Sequence, residues 1–283
     1  MTATVLAVNL LGVVEHPEID GMNPYRIDAE GRPYVPAGDG GVVLGVRLGD
    51  SAFGFDADHA APGACLVHPD PSARLALTAY ACVGNEVVVR TGAARGARGR
   101  VVGKRGEAGR VIVSLSQEHL AALRPGDGMS VRAHGQGARL GVPGVELLNL
   151  DPRLLERLPL RIDAEGLAAT VRGVVPSRLA GNGLGRPAQM WDLDVQVTPS
   201  TPGLAGLRLG DLVCLDDIDV RHNMGYRRGW RTLGVVVHGD SPLPGHGPGV
   251  TPIVSGPADR LTVTVDPDCE PGLTEDALHG VPY

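Results

Sequence analysis

Glycine and proline make up more than a fifth of this 283-residue chain, with 41 Gly and 23 Pro, and both residues punctuate regular structure. Such a composition accompanies disorder when apolar runs are missing. Here the runs recur between the glycines, as in Val87-Val88-Val89, Val111-Ile112-Val113 and Val235-Val236-Val237. β-Branched runs bounded by turn residues read as short strands, so the sequence predicts a mostly β protein with few short helices. Only two Phe, two Trp and five Tyr are present, and its cores must be aliphatic.

A chain of this length suits two domains better than one small core. The boundary expected here divides an N-terminal β domain, 1–150, from a C-terminal one, 151–283. The clearest helix signal lies at the junction, where Asp151 caps and Pro152 opens a stretch running to Leu158. A second short helix is expected over Gln117 to Leu123, after Ser116. One pattern occurs three times, as Arg47-Leu48-Gly49-Asp50, Arg124-Pro125-Gly126-Asp127 and Arg208-Leu209-Gly210-Asp211. Each reads as a turn feeding a strand, with Gly free to take positive φ and Asp bonding nearby backbone N–H groups. The repetition suggests two barrel-like units.

The formal charge of −6 and a pI near 5.8 give no global attraction to phosphate backbones or anionic lipid. No apolar stretch reaches the length of a membrane span, and the N-terminus lacks the basic region of a secretory signal. A cytoplasmic location with no membrane partner is therefore expected. Cys65, Cys82, Cys214 and Cys269 lie far apart, without a CxxC pair, and are read as reduced thiols.

Residues 83–113 alternate β runs with Gly-Arg turns. The portion Val87 to Lys104 resembles the KOW motif of ribosomal proteins and elongation factors, a hairpin on an SH3-like barrel. That resemblance implies that Arg95, Arg98, Arg100, Lys104 and Arg105 form a phosphate-facing loop. No aromatic platform for bases accompanies them, and the whole chain is acidic. Nucleic acid is thus not the expected partner, and a KOW-like RNA-associated protein is kept as the alternative function.

Several loops set glycines beside polar residues, where backbone N–H groups can approach a ligand closely. The candidates for ligand or cofactor binding are Gly38 and Asp39, Gly135 and Gln136, Gly183 and Gly185, and Gly247. None fits a phosphate-loop or dinucleotide fingerprint. The richest segment is Val235-Val236-Val237-His238-Gly239-Asp240-Ser241, followed by Gly245-His246-Gly247-Pro248-Gly249. Period-two geometry sets His238 and Asp240 on one side at a strand end, and the glycine-proline loop can return His246 to them. Two imidazoles and a carboxylate can hold a divalent metal ion or act as acid and base without one. His238, Asp240 and His246 are therefore the candidate catalytic and metal-ligating residues. Asp216, Asp217, Asp219 and His222 form a second polar group without calcium-loop spacing. His16, His59, His68 and His134 stand alone in sequence.

The ordered phrases Gly38-Asp39-Gly40-Gly41, Gly84-Asn85-Glu86, Gly135-Gln136-Gly137, Asn149-Leu150-Asp151-Pro152, Gly183-Leu184-Gly185, Gly210-Asp211 and His238-Gly239-Asp240-Ser241 through Gly245-His246-Gly247-Pro248-Gly249-Val250 cover most of Tyr25 to Val254. In them the chain resembles an uncharacterised prokaryotic family of two-part β proteins, known only as a domain of unknown function. The resemblance implies a C-terminal half similar to Rift-type β-barrels and assembly as a homo-oligomer. It implies no reaction. From the residues, the leading expectation is a protein that binds a small polar or anionic metabolite, a hydrolase or lyase whose His/Asp site lies among glycine-rich loops.

Overall fold

The three Arg-x-Gly-Asp turns are built alike. In each, the Asp side chain accepts the backbone N–H of the Arg three residues back at 2.8 Å, in Arg47/Asp50, Arg124/Asp127 and Arg208/Asp211. Gly49, Gly126 and Gly210 all adopt φ between 90° and 95°, a region closed to most side chains. The computed structural model, which describes residues 5–17, 25–106 and 109–281, uses such turns to join short strands into a mostly β fold.

In the N-terminal half, strands Ala7–Val14, Ala64–Val67, Arg110–Ser114, Arg98–Arg105, Glu86–Val89 and Gly128–His134 pair in that order and close into a six-stranded antiparallel barrel. Its interior is aliphatic, with Leu66, Val87, Val101, Val111 and Val131 buried. The ten-residue helix Pro71–Tyr80 packs Leu77 into this core. Asp70 caps it by accepting the Ala73 N–H, and proline opens it. The helix expected after Ser116 is present as Gln117–Ala122.

The C-terminal half is a six-stranded sheet in which Gly173–Pro176, Leu212–Asp219, Gly225–His238, Gly249–Pro257 and Leu193–Asp194 follow in order, with Glu146–Leu147 also pairing to Gly249–Pro257. A three-stranded sheet of Leu160–Ile162, Leu167–Val171 and Leu261–Val265 lies beside it. The stretch opening at Pro152 is a 3-10 helix, Pro152–Arg157, capped by the Asp151 side chain. One aliphatic core runs across both halves, with Cys65, Val102 and Ile112 of the barrel meeting Val235, Val237 and Ile253 of the sheet. Gly103 makes that approach close, since a Cβ there would lie 2.5 Å from Val237 Cγ1.

This packing corrects the phosphate-facing loop expected for Arg95, Arg98, Arg100, Lys104 and Arg105. Arg95 and Arg98 are exposed, and Arg98 pairs with Glu86. Arg100, Lys104 and Arg105 are buried, because the C-terminal half covers this barrel strand, with Val102 sharing a core with Val237 and the Lys104 N–H donating to Thr251 Oγ1. Arg100 donates to the Gly84 and Val281 carbonyls. Lys104 donates to Asn149 Oδ1 at 2.8 Å and to the Gln189 and Ala79 carbonyls, and burial pushes its amine down to about 8 despite the nearby Cys82. Arg105 pairs with Asp39. Three of the five cations therefore satisfy internal acceptors. Among the described residues no helix is long and apolar enough to cross a membrane.

Candidate functional site

The ladder that builds the site is short. Across three neighbouring strands, Asp194 pairs with Gly249 and Gly249 pairs with His238. Gly249 has no side chain, so the His238 imidazole lies over it and reaches the carboxylates beyond. A Cβ on Gly249 would stand 1.9 Å from His238 Nε2. His238 Nδ1 donates to the Gly239 carbonyl at 2.8 Å, leaving Nε2 facing Asp192 Oδ2 at 2.8 Å and Asp194 Oδ1 at 3.4 Å.

The other oxygen of Asp194 faces a second group. Gly245, at φ 81°, turns the glycine-proline loop back, and His246 Nδ1 comes to 2.8 Å from Asp194 Oδ2. His59 enters from the N-terminal half, with Nε2 at 3.0 Å from His246 Nδ1 and 3.6 Å from Asp194 Oδ2. The His59 ring lies edge-on to both others, with centroids 4.9 Å from His238 and 5.1 Å from His246. Its backbone is held at φ 53°, unusual for a residue with a side chain. The three histidines thus converge, and the two expected from sequence, His238 and His246, meet through Asp194.

Behind His59 stands a carboxylate layer. Asp58 Oδ1 lies 2.6 Å from His59 Nδ1, and its other oxygen accepts from Arg26 at 2.9 Å and from the Tyr34 hydroxyl at 3.0 Å. Asp39 is gripped by Arg26, Arg105 and Arg110, and Arg110 also binds Glu15 at 2.6 Å. Asp39 thus belongs to an arginine-braced wall, where the guanidiniums overcome burial and hold its carboxyl below the usual range. For Asp58, burial is again outweighed, chiefly by His59, and its carboxyl is also lowered. Asp194 is held well below the ordinary value against its burial by His238, His246 and His59. For His238, burial alone would lower the imidazole, but Asp192 and Asp194 prevail and raise it to about 10.

Asp240 does not join these donor groups. The strand ends at His238, and the chain leaves it to pair elsewhere, with Gly239 N–H donating to the Ala60 carbonyl and Asp240 N–H to the Ala52 carbonyl, both at 2.8 Å. The Asp240 side chain instead lines an open cleft of about 630 Å3 with Tyr34, Phe55 and Ser241. Burial, then the Asp58 charge, raise its carboxyl above the usual value. The cleft adjoins the histidine cluster, since Tyr34 binds Asp58 and Asp58 abuts His59.

The glycines expected to bind a ligand do structural work that differs from loop to loop. A Cβ on Gly183 would meet the Asp192 carbonyl at 2.2 Å, and one on Gly247 the Val195 carbonyl at 2.0 Å. Both press loops against the residues flanking strand Leu193–Asp194. Gly185 sits exposed in a turn, and Gly38 forms part of the turn that presents Asp39. Gly135 and Gln136 lie in another polar group, where Gln136 donates to the Ala79 carbonyl and to Asn149 Oδ1 beside Lys104.

Of the other polar candidates, Asp216 pairs with Arg231, Asp217 accepts the Gly229 N–H, and Asp219 binds Arg221 and Arg227. His134 pairs with Asp151, and His68 accepts the Asp70 N–H. His59, Asp58, Asp192 and Asp194 were not singled out by the sequence reading. The signal for the last two was the alternation in Trp191-Asp192-Leu193-Asp194, which places two carboxylates on one side of an extended strand. His59 carried no such signal, because its partners lie far along the chain.

Family models described as a domain of unknown function, DUF4438, match the chain twice, the N-terminal part over residues 25–156 and the C-terminal part over 157–270. No curated protein matches. Among solved structures, one titled "Crystal structure of TM1086" superposes with a TM-score of 0.90 at 32% identity, over 94% of this chain and 95% of that one.

Proposed function

Because the chain belongs to the DUF4438 family, whose descriptions give no activity, we propose a function from the site itself: His59, His246 and Asp194 hold a divalent transition-metal ion that activates water to hydrolyse a small polar or anionic metabolite. The observation that carries this is the triangle of donor atoms. His59 Nε2, His246 Nδ1 and Asp194 Oδ2 stand 3.0, 2.8 and 3.6 Å apart. Ligand atoms about 2.0 to 2.2 Å from a common ion are separated by roughly 2.8 to 3.6 Å in octahedral or tetrahedral geometry. Asp194 Oδ2 is buried and has no aligned hydrogen-bond donor despite its close neighbours, an arrangement costly unless something else satisfies the oxygen. Two imidazoles with one carboxylate suit a transition metal and leave coordination positions open.

The surrounding residues fit this use. Asp58 Oδ1 stands 2.6 Å from His59 Nδ1, on that side of the ring, and leaves Nε2 as the nitrogen facing Asp194 and His246. Asp58 also accepts the Tyr34 hydroxyl at the edge of the cleft, which ties the carboxylate behind His59 to the cleft wall. In the reaction, the water oxygen would add to the electrophilic centre, the bond to the leaving group would break, and the water proton would pass to that group. The same reading takes the C-terminal sheet as Rift-related and the protein as a homo-oligomer, with the cleft beside Asp240 as the metabolite's entry.

The test is metal content. Protein purified without chelator, loaded with Zn2+ or Mn2+ and desalted, should retain metal by elemental analysis and native mass spectrometry, which also reports oligomer size. His246→Ala and His59→Ala should lower retention at least tenfold while keeping the β-type circular dichroism spectrum. Wild-type protein that retains no more metal than these variants would overturn the proposal.

A further inference from the structure

Asp194 presents its two oxygens to two different donor groups. Oδ2 faces His59 and His246, whereas Oδ1 faces His238 Nε2 at 3.4 Å. The latter nitrogen also lies 2.8 Å from Asp192 Oδ2. Both Asp192 and Asp194 are almost fully buried, and His238 is completely so. From this arrangement we infer that the site is a two-metal centre bridged by Asp194, with His59 and His246 on one ion, His238 and Asp192 on the other, and an oxyanion group of the substrate bound across the pair. This inference rests on the metal-binding function proposed above and deepens it.

Three features carry the second ion. Asp192, Asp194 and His238 form a group of donors with ligand-compatible spacing, distinct from the His59 group except for the shared carboxylate. His238 donates Nδ1–H to a backbone carbonyl, the contact that typically orients a ligating imidazole and leaves Nε2 for the metal. Asp192 is fixed in the same way, with Oδ1 accepting the Gly106 N–H at 3.1 Å and Oδ2 directed at His238. A carboxylate that gives one oxygen to each ion is suited to the separation of roughly 3.5 to 4 Å found in two-metal hydrolytic sites.

The substrate class follows from charge. Two divalent ions bring four positive charges, against two negative ones from Asp192 and Asp194. The centre therefore retains positive charge in a buried setting, where such charge demands a partner. A bridging hydroxide offsets part of it, and a phosphate or carboxylate group on the substrate offsets the rest. Inorganic phosphate serves as the probe.

Titration with Mn2+ followed by native mass spectrometry should give two ions per wild-type chain, and electron paramagnetic resonance of that form should show the exchange-coupled spectrum of paired Mn2+. Asp192→Asn keeps the oxygen that accepts the Gly106 N–H, so the fold is retained, but it should hold one ion per chain and give the uncoupled six-line spectrum. Phosphate should bind the two-ion wild-type protein at least tenfold more tightly than the one-ion D192N protein. A wild-type chain that saturates at one uncoupled ion, lost in His246→Ala and unchanged in D192N, would overturn the two-metal centre while leaving the proposed function standing. Retention of no ion would remove both. Equal phosphate affinity in wild type and D192N would overturn the oxyanion assignment.

Discussion

A Cβ at Gly249 would lie 1.9 Å from His238 Nε2, and neither atom can yield cheaply, since one is tied to a strand ladder and the other is enclosed by carboxylates. Gly249→Ala should therefore expel the imidazole from its seat and cut metal retention from two ions per chain to one. It should also destabilise the fold by about 1 to 3 kcal/mol through overpacking. Metal analysis beside denaturant unfolding checks both effects, and full retention in G249A would show that His238 has another place to go. Proton binding at His238 gives a second prediction. In the metal-free protein its imidazole is raised to about 10, because Asp192 and Asp194 outweigh burial. A raised folded value means that the stabilisation is fully present below the unfolded value of about 6.5 and is lost as pH rises through about 10. Lys104, lowered to about 8 by burial, works in the opposite direction above that pH, so the signal is the difference in thermal midpoint between wild type and His238→Gln. That difference should shrink as pH rises from about 6.5 to about 10; a constant difference would mean that His238 is not charged. The sequence showed His238 and His246 as residues of interest because they crowd one glycine-rich stretch. It did not show His59, whose partners Asp194 and His246 lie more than a hundred positions away and join it only through the fold.

Strands and turns were the most readable elements, since valine runs and Arg-x-Gly-Asp turns are local signals that survive in any tertiary context. The helix Pro71–Tyr80 carries a weaker local signal, although Asp70 and Pro71 form a cap and an opening residue. Its residues Ala73, Leu75, Leu77 and Ala79 also fit the aliphatic strands around it. Barrel-like units were expected, and one closes in the N-terminal half, but which strands close it was beyond reach, because pairing of Ala7–Val14 with Gly128–His134 is set by contacts between the first and last strands. The same non-local packing inverted the reading of the basic hairpin. The KOW-like resemblance implied that Arg95, Arg98, Arg100, Lys104 and Arg105 face phosphate, but Arg100, Lys104 and Arg105 are buried, the first two by partners far along the chain, Val281 for Arg100 and Asn149 and Gln189 for Lys104. The consequence is measurable. Arg100→Ala leaves the Gly84 and Val281 carbonyls without their donor and should cost about 1 to 3 kcal/mol. Arg98→Ala removes a half-exposed pair with Glu86 and should cost roughly 0 to 1 kcal/mol. Equal costs in urea unfolding would place Arg100 in solvent and restore the phosphate-facing loop.

At the level of the whole molecule, the two halves share both a core and a site. Cys65, Val102 and Ile112 pack with Val235, Val237 and Ile253, Glu146–Leu147 adds a strand to the C-terminal sheet, and His59 reaches across to Asp194 and His246. Unfolding one half would expose the shared aliphatic surface of the other, so the protein should unfold in a single cooperative transition. A metal ion held between His59 and the C-terminal ligands binds only when both halves are in place. It should therefore shift that entire transition, by about 4 kcal/mol at a free metal concentration a thousand times the dissociation constant. Calorimetry of the metal-loaded protein, repeated after chelator and dialysis, reads this directly. One transition that moves upward with metal fits a clamp between halves. Two transitions of which metal moves only one would show that the ion sits within a single half, and His59 would then have no part in holding it.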